Sequence, residues 1–270
     1  MDLTTVIGII AGIAALLGGF LWEGGEAHGL MEKTAILIVF GGTFAAVAVS
    51  FPASRLRTIP AALRMAFRKD NNTEQEIIDS LTDMATLARR GGVLALETHA
   101  GKLDERFLRD GVLMVVDGTD PDLTREILEL EIAAIERRHE QQAKIFESAG
   151  GYAPTMGIIG TVMGLINVLG DLNEPGALGS SIAVAFTATL YGVASANVLY
   201  LPLASKIKVR SQEHIGRMEM MMEGILGLQA GDNPQLIRKK LQSFVITDEP
   251  IQRKGTRAPE GKAEENAAQA

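Results

Sequence analysis

The chain has 270 residues, a formal net charge of −7 and a sequence pI near 5.2, values that argue against a nucleic-acid binder because no concentrated basic surface is present to displace phosphate counterions. It contains no cysteine, which removes disulfides, zinc–thiolate sites, iron–sulfur clusters and cysteine nucleophiles together. A hydrophobic content of 47% fits either one large soluble domain or a small membrane protein with a polar part, and the lengths of the apolar runs decide for the membrane.

The first apolar run, residues 4–22 (TTVIGIIAGIAALLGGFLW), is about the 20 residues that a helix needs to cross a ~30 Å hydrocarbon core. No basic residue precedes it and the following EGGEAHG is a poor cleavage site, so the pattern predicts a retained span and not a signal peptide. Trp22 suits an interfacial position. After a short loop with Glu23, Glu26 and Glu32, residues 34–51 form a second apolar run closed by Pro52.

Residues 52–149 are polar by comparison and helical in pattern. Ile77, Ile78, Leu81, Met84, Leu87 and Ala88 recur at helical spacing, with Thr73 as a cap and Gly91–Gly92 as the stop. LALETHAGKL begins another helix, and FLRDGVLMVVDGTD stays apolar until the turn at Gly118. From Pro121, PDLTREILELEIAAIERRHEQQAKIFES predicts one long amphipathic helix that runs directly into the third apolar run. A cytoplasmic movement would thereby be coupled to the membrane.

Residues 152–170 and 180–204 are the third and fourth runs and predict a membrane hairpin. Neither contains Asp, Glu, Lys, Arg or His. Gly157, Gly160 and Gly164 allow close approach of another backbone, and Thr161, Asn167, Thr187, Thr189, Ser195 and Asn197 offer hydrogen bonds, either as packing glue or toward a hydrated path. Pro154 and Pro202 fall at the same membrane face of an antiparallel hairpin, as a paired hinge or as ordinary helix terminators.

Arg55, Arg57, Arg64, Arg68 and Lys69 follow the second run and Lys206, Lys208 and Arg210 the fourth, whereas the loop 171–179 has no basic residue and the first loop only Lys33. The positive-inside rule then puts both termini and the middle segment in the cytoplasm. Beyond the fourth run, Met218, Met221, Met222, Ile225 and Leu228 form an apolar stripe expected to pack in a core. GDNP breaks that helix, a short helix follows, and residues 247–270 have the composition of a disordered tail. His28, His99, His139 and His214 are scattered without metal-ligand spacing and are expected on the surface. No GxSxG, P-loop or HExxH supports an enzyme, no metal site is indicated, and no cofactor is implied. Because charged groups commonly mark ion pathways in membranes, a conducting role requires a titratable group from another polypeptide.

The stretches YAPTMGIIGTVMGLINVLGDLNEPGALGSSIAVAFTATLYG with LPLASK, LARRGGVLALE, and GILGLQAGDNPQLI resemble the motility protein A family (MotA, with PomA and MotP as sodium-driven relatives) over about residues 1–245. The resemblance implies an all-α membrane protein: spans 1 and 2 within 1–52, a cytoplasmic helical domain 53–149, the ion-path hairpin 150–204, C-terminal cytoplasmic helices 205–246 and the tail 247–270. It implies a flagellar stator subunit in the bacterial cytoplasmic membrane, five copies around two copies of a MotB-type partner that supplies the ion-carrying Asp. It also implies contact with the rotor protein FliG through Arg89, Arg90 and Glu97, and coupling through Pro154 and Pro202. Thr161 and Thr189, with Thr187 near them, would line the ion path. Thr161 and Tyr191 match the sodium type and Ala188 departs from it, so the transported cation is Na+ or H+, with Na+ favoured. The alternatives are an ion-driven motor of the ExbB or TolQ kind and a non-conducting membrane scaffold.

Overall fold

The structure is a computed structural model that describes residues 3–67, 74–170 and 175–245. Thr73, the part of the loop without basic residues that precedes Pro175, and the tail 247–270 lie wholly or largely outside these residues. Among the described residues, four helical stretches are long and apolar enough to cross a membrane: Leu3–Trp22, Lys33–Ser50, Pro121–Gly170 and Ser181–Gln229. The fold is all-α, with no strand among the described residues.

The first span, α1 (Leu3–Trp22), has no buried residue, so its leucines and isoleucines are left for lipid or another chain. The second comprises α2 (Lys33–Ile36), a π-turn (Leu37–Gly41) and α3 (Gly42–Ser50). Its buried residues are Ala35, Val39, Thr43 and Val47, one every four positions. Each four-residue step overshoots a 3.6-residue turn by about 40°, and the wider π-turn in the middle keeps the row facing the bundle. Ser50 and Tyr152 close this span against the third with a 2.8 Å hydroxyl contact.

Beyond Pro52 come α4 (Ala53–Leu56), α5 (Ile59–Phe67) and α6 (Glu74–Gly91). Gly92 ends α6 at φ 79°, a left-handed backbone that glycine adopts without Cβ strain. The helix expected at LALETHAGKL is instead a 3₁₀ turn (Val93–Leu96) and one turn of α7 (Glu97–Ala100), stopped where Lys102 and Leu103 donate back to His99 and Ala100. This tight reversal brings α8 (Arg106–Val116) alongside.

The long helix α9 (Pro121–Gly170) is continuous for 50 residues, about 75 Å at 1.5 Å per residue, and carries the third span as its last part. The fourth span, α10 (Pro175–Ser195), passes through a π-turn (Ala196–Tyr200) into α11 (Leu201–Gln229). These are the two rods of the molecule. At their polar end Leu128 and Ile132 of α9, the methionines Met218, Met220, Met221 and Met222 of α11, and Leu81, Val112 and Leu96 form one core. Ile237 and Leu241 of α12 (Pro234–Gln242) complete it, so the methionine stripe is core packing as expected. Glycines set its closeness: a Cβ on Gly111 would meet Ile225 at 2.4 Å and one on Gly224 would meet Leu81 at 2.5 Å. Asn233 caps α12 by accepting from the Gln235 amide, with Pro234 in its first turn.

Candidate functional site

The third and fourth spans pack backbone to backbone. Gly157, Gly160 and Gly164 of α9 are all buried in the seam. A Cβ on Gly157 would stand 2.9 Å from the Ala188 carbonyl oxygen, one on Gly160 2.6 Å from the Ala188 Cβ, and one on Gly164 3.0 Å from the Ala185 amide nitrogen. From the other side, Gly192 approaches Ala153 so closely that a Cβ would lie 2.5 Å from its carbonyl. Small residues at i, i+3 and i+7 therefore put the two spans in direct contact.

This closeness gathers oxygen atoms. The Thr161 hydroxyl lies 2.9 Å from the Ala185 carbonyl across the seam and 3.1 Å from the Gly157 carbonyl on its own helix, and it meets the Thr189 hydroxyl. Two hydroxyls and two carbonyls thus converge in a seam without a carboxylate. Thr187, at 6% exposure, makes no hydrogen bond among the described residues. In the second span the buried Thr43 hydroxyl likewise has no partner among them. Ser195 and Asn197 bond back to the carbonyls of Gly192 and Val193 on their own helix, and Asn167 is exposed. The opposite face of the hairpin is apolar and uncovered, with Ile158, Val162, Ile166 and Phe186 exposed.

Tyr191 is turned away from this cluster. Its hydroxyl donates to the Leu30 carbonyl in the loop after the first span, and its ring packs against Phe40 at 6.1 Å. Tyr191 therefore holds the first loop and the second span, with its hydroxyl already engaged. Sequence patterning alone had no signal for the Leu30 partner.

Pro154 and Pro202 sit at the same end of the hairpin but not opposite each other. Ala153 lies against Gly192, whereas Gly150 lies against Leu201. Pro154 is thus about one turn deeper than the contact beside Pro202, roughly 6 Å along the axis. Pro154 is inside α9 and denies the Gly150 carbonyl its helical donor, and Pro202 follows directly on the π-turn. They form two separate soft points in the two rods.

At the far end of the inserted segment, Arg89 and Arg90 in the last turn of α6 and Glu97 in the first of α7 are exposed and carry no ion pair among the described residues. The Gly92 turn and the 3₁₀ segment bring them onto one corner.

Of the four histidines expected on the surface, His99 is exposed, the side chain of His28 lies outside the described residues, and His139 and His214 are half-buried between the rods. His139 of α9 and His214 of α11 pack with ring centroids 5.8 Å apart, and His139 Nδ1 is 3.1 Å from the Ser211 hydroxyl. Burial first, then the nearby His214 and Arg138, push the His139 pKa down from 6.5 to about 4. The helical spacing that places them on facing sides of two rods only has meaning once the rods are aligned. Close by, Glu147 accepts from Lys208 at 2.5 Å and raises the lysine pKa by hydrogen bonding and charge. No cluster of three metal-ligating side chains occurs among the described residues.

A family model described as Motility protein A N-terminal matches residues 6–92, and one described as the MotA/TolQ/ExbB proton channel family matches residues 99–220. Motility protein A of Bacillus subtilis is 39% identical over 246 residues, covering 91% of each chain. Among solved structures, the flagellar MotAB stator complex of B. subtilis aligns at TM-score 0.85 and 38% identity, covering 90% of this chain and 96% of that one. The C. jejuni MotAB structure aligns at TM-score 0.88 and 30% identity, covering 93% and 98%. With both halves matched by family models and a relative this similar over nine-tenths of its length, the chain belongs to the motility protein A family, within the MotA/TolQ/ExbB proton channel family.

Proposed function

We propose that this chain is a stator subunit of the bacterial flagellar motor, forming with a MotB-type partner a cation path whose ion flow turns the assembly. The observation that carries this reading is the oxygen cluster around Thr161, set in a hairpin that has no carboxylate of its own. Hydroxyl and carbonyl oxygens suit a hard cation that sheds part of its water, and here Na+ is favoured over H+. Rotation of the two threonine hydroxyls exchanges their mutual hydrogen bond for the passing ion. The uncovered apolar face of the hairpin and the absent carboxylate both call for the partner, whose Asp carries the charge. Five copies of this chain surround two of the partner, with both termini cytoplasmic.

The rods α9 and α10–α11 lead from the seam, through the soft points at Pro154 and Pro202, to the core that holds α6. Movement at the hairpin is therefore transmitted to Arg89, Arg90 and Glu97, whose exposed charges engage FliG and release it again. The test is swimming speed of a stator-null strain that expresses this chain with its partner, at fixed pH. Speed that rises and saturates with sodium and survives a protonophore supports the sodium motor. Speed indifferent to sodium and abolished by the protonophore reassigns the ion to H+, and no swimming in either condition removes the flagellar role.

A further inference from the structure

Where the second span ends, the chain folds along the bundle instead of leaving it. Leu56 and Ile59 pack beside Ile145 and Ala149 of α9, and Ala62 and Ala66 of α5 are fully buried in a cluster with Phe146 and Leu203. α4 and α5 thus form a collar at the level where Gly150 meets Leu201, the polar end of the membrane hairpin. The outer side of this collar exposes Arg55, Arg57 and Arg64, and α9 adds exposed Lys144 beside Ile145. None of these four has an ion pair among the described residues, although Lys208 takes Glu147 and Arg210 takes Glu213 nearby. On α3, the end of the span that leads into the collar, Phe44 is 73% and Val49 89% exposed, about 140° apart around the helix. Apolar surface and unpaired cations adjoin in the order in which a phospholipid presents its acyl chains and its phosphate.

We infer that this collar binds anionic phospholipid from the leaflet on its side, with phosphates on Arg55, Arg57 and Arg64 and acyl chains along Phe44 and Val49. The guanidinium fork matches phosphate geometry, and basic residues near an anionic surface strengthen attachment by about fivefold each. Anchored this way, α4 and α5 keep the bases of the third and fourth spans at a fixed depth in the membrane. The inference needs only the spans and is independent of which ion passes.

The complex of the full chain with its partner subunit, in nanodiscs of equal phosphatidylglycerol and phosphatidylcholine, is transferred to native mass spectrometry and its retained lipids are counted. Wild type is expected to retain phosphatidylglycerol about a hundredfold over phosphatidylcholine, the product of three cations at about fivefold each, and to lose that preference as salt rises. R55Q/R57Q/R64Q loses it at any salt, each single change loses part of it, and R89Q/R90Q, with two distant exposed arginines removed, keeps it. Equal retention of the two lipids by wild type, or unchanged preference in the triple variant, overturns the inference. So does a triple variant that dissociates into single copies while its preference persists, because the collar is then a contact between chains. If the triple variant fails to fold, the single changes R55Q, R57Q and R64Q carry the test, and lipid counting stays readable whether or not the cells swim.

Discussion

The hydroxyls of Thr161 and Thr189 meet across the seam of the third and fourth spans, and the Thr161 oxygen is also 2.9 Å from the Ala185 carbonyl. Removing that hydroxyl with T161A costs about 1 kcal/mol of hydrogen bonding and leaves assembly intact. In the proposed motor it raises the sodium concentration for half-maximal swimming by about tenfold, the equivalent of 1.4 kcal/mol, whereas T161S retains most of the wild-type response. Equal sodium curves for T161A and wild type would return Thr161 to helix packing.

Gly192 and Gly157 press against main chain, not against side chains that can swing aside. G192A and G157A are therefore expected to destabilise the purified complex by about 1–3 kcal/mol. G151A, where a Cβ would meet nothing within 4 Å, should be neutral or slightly stabilising. Thermal unfolding of the three variants in one detergent checks the ranking.

His139 stays neutral in the folded chain down to about pH 4, while the same residue unfolded takes up its proton near 6.5. Between those values the unfolded state binds more protons, so this contribution to stability is fully present above pH 6.5 and declines as pH falls toward 4. The ring is partly exposed, so solvent screening reduces the size of the effect. The difference in Tm between pH 7.5 and pH 5 should shrink in H139Q. An undiminished difference would assign the acid sensitivity to other groups.

In the proposed contact with FliG, R90E lowers torque by weakening a complementary charge pair, while Tm moves by less than about 0.5 kcal/mol equivalent because the site is exposed. Bead-rotation torque with R90E, and its rescue by an acidic-to-basic change on the rotor, is the check. G92A differs: it forces a side chain into φ 79°, ψ 168°, a conformation kept almost wholly to glycine, at a cost of about 1–3 kcal/mol, and should lower both Tm and torque.

The spans were legible in the sequence because four apolar runs of membrane length leave little choice of element, and the methionine stripe at helical spacing announced its core. The Gly-x-x-Gly pattern likewise pointed to a close seam. What composition and spacing could not show is register. Whether Thr161 meets Thr189 or Thr187 depends on how two antiparallel helices slide, and the same slide separates Pro154 from Pro202. Tyr191 illustrates the point: two residues past Thr189 is about 200° around a helix, so its hydroxyl faces Leu30 and not the oxygen cluster. His139 and His214 belong to segments far apart in the chain, and only the alignment of the rods makes them neighbours. LALETHAGKL has adequate helix formers, yet the chain has to reverse there to bring α8 onto α11, where Gly111 meets Ile225, and tertiary packing overrides propensity.

The unbroken course of α9 through 50 residues carries a rule for building hybrids. Grafting the polar end of one relative onto the membrane end of another means cutting inside a helix, where every added residue turns the graft by about 100° and lifts it by 1.5 Å. A one-residue slip in α9 alone would aim the Arg89 corner in a different direction and shear α9 past α11, undoing the Glu147–Lys208 pair. Seven residues bring the face back to within about 20°, so hybrids spliced in whole heptads, with the same length change made in both rods, are the ones that keep their aim.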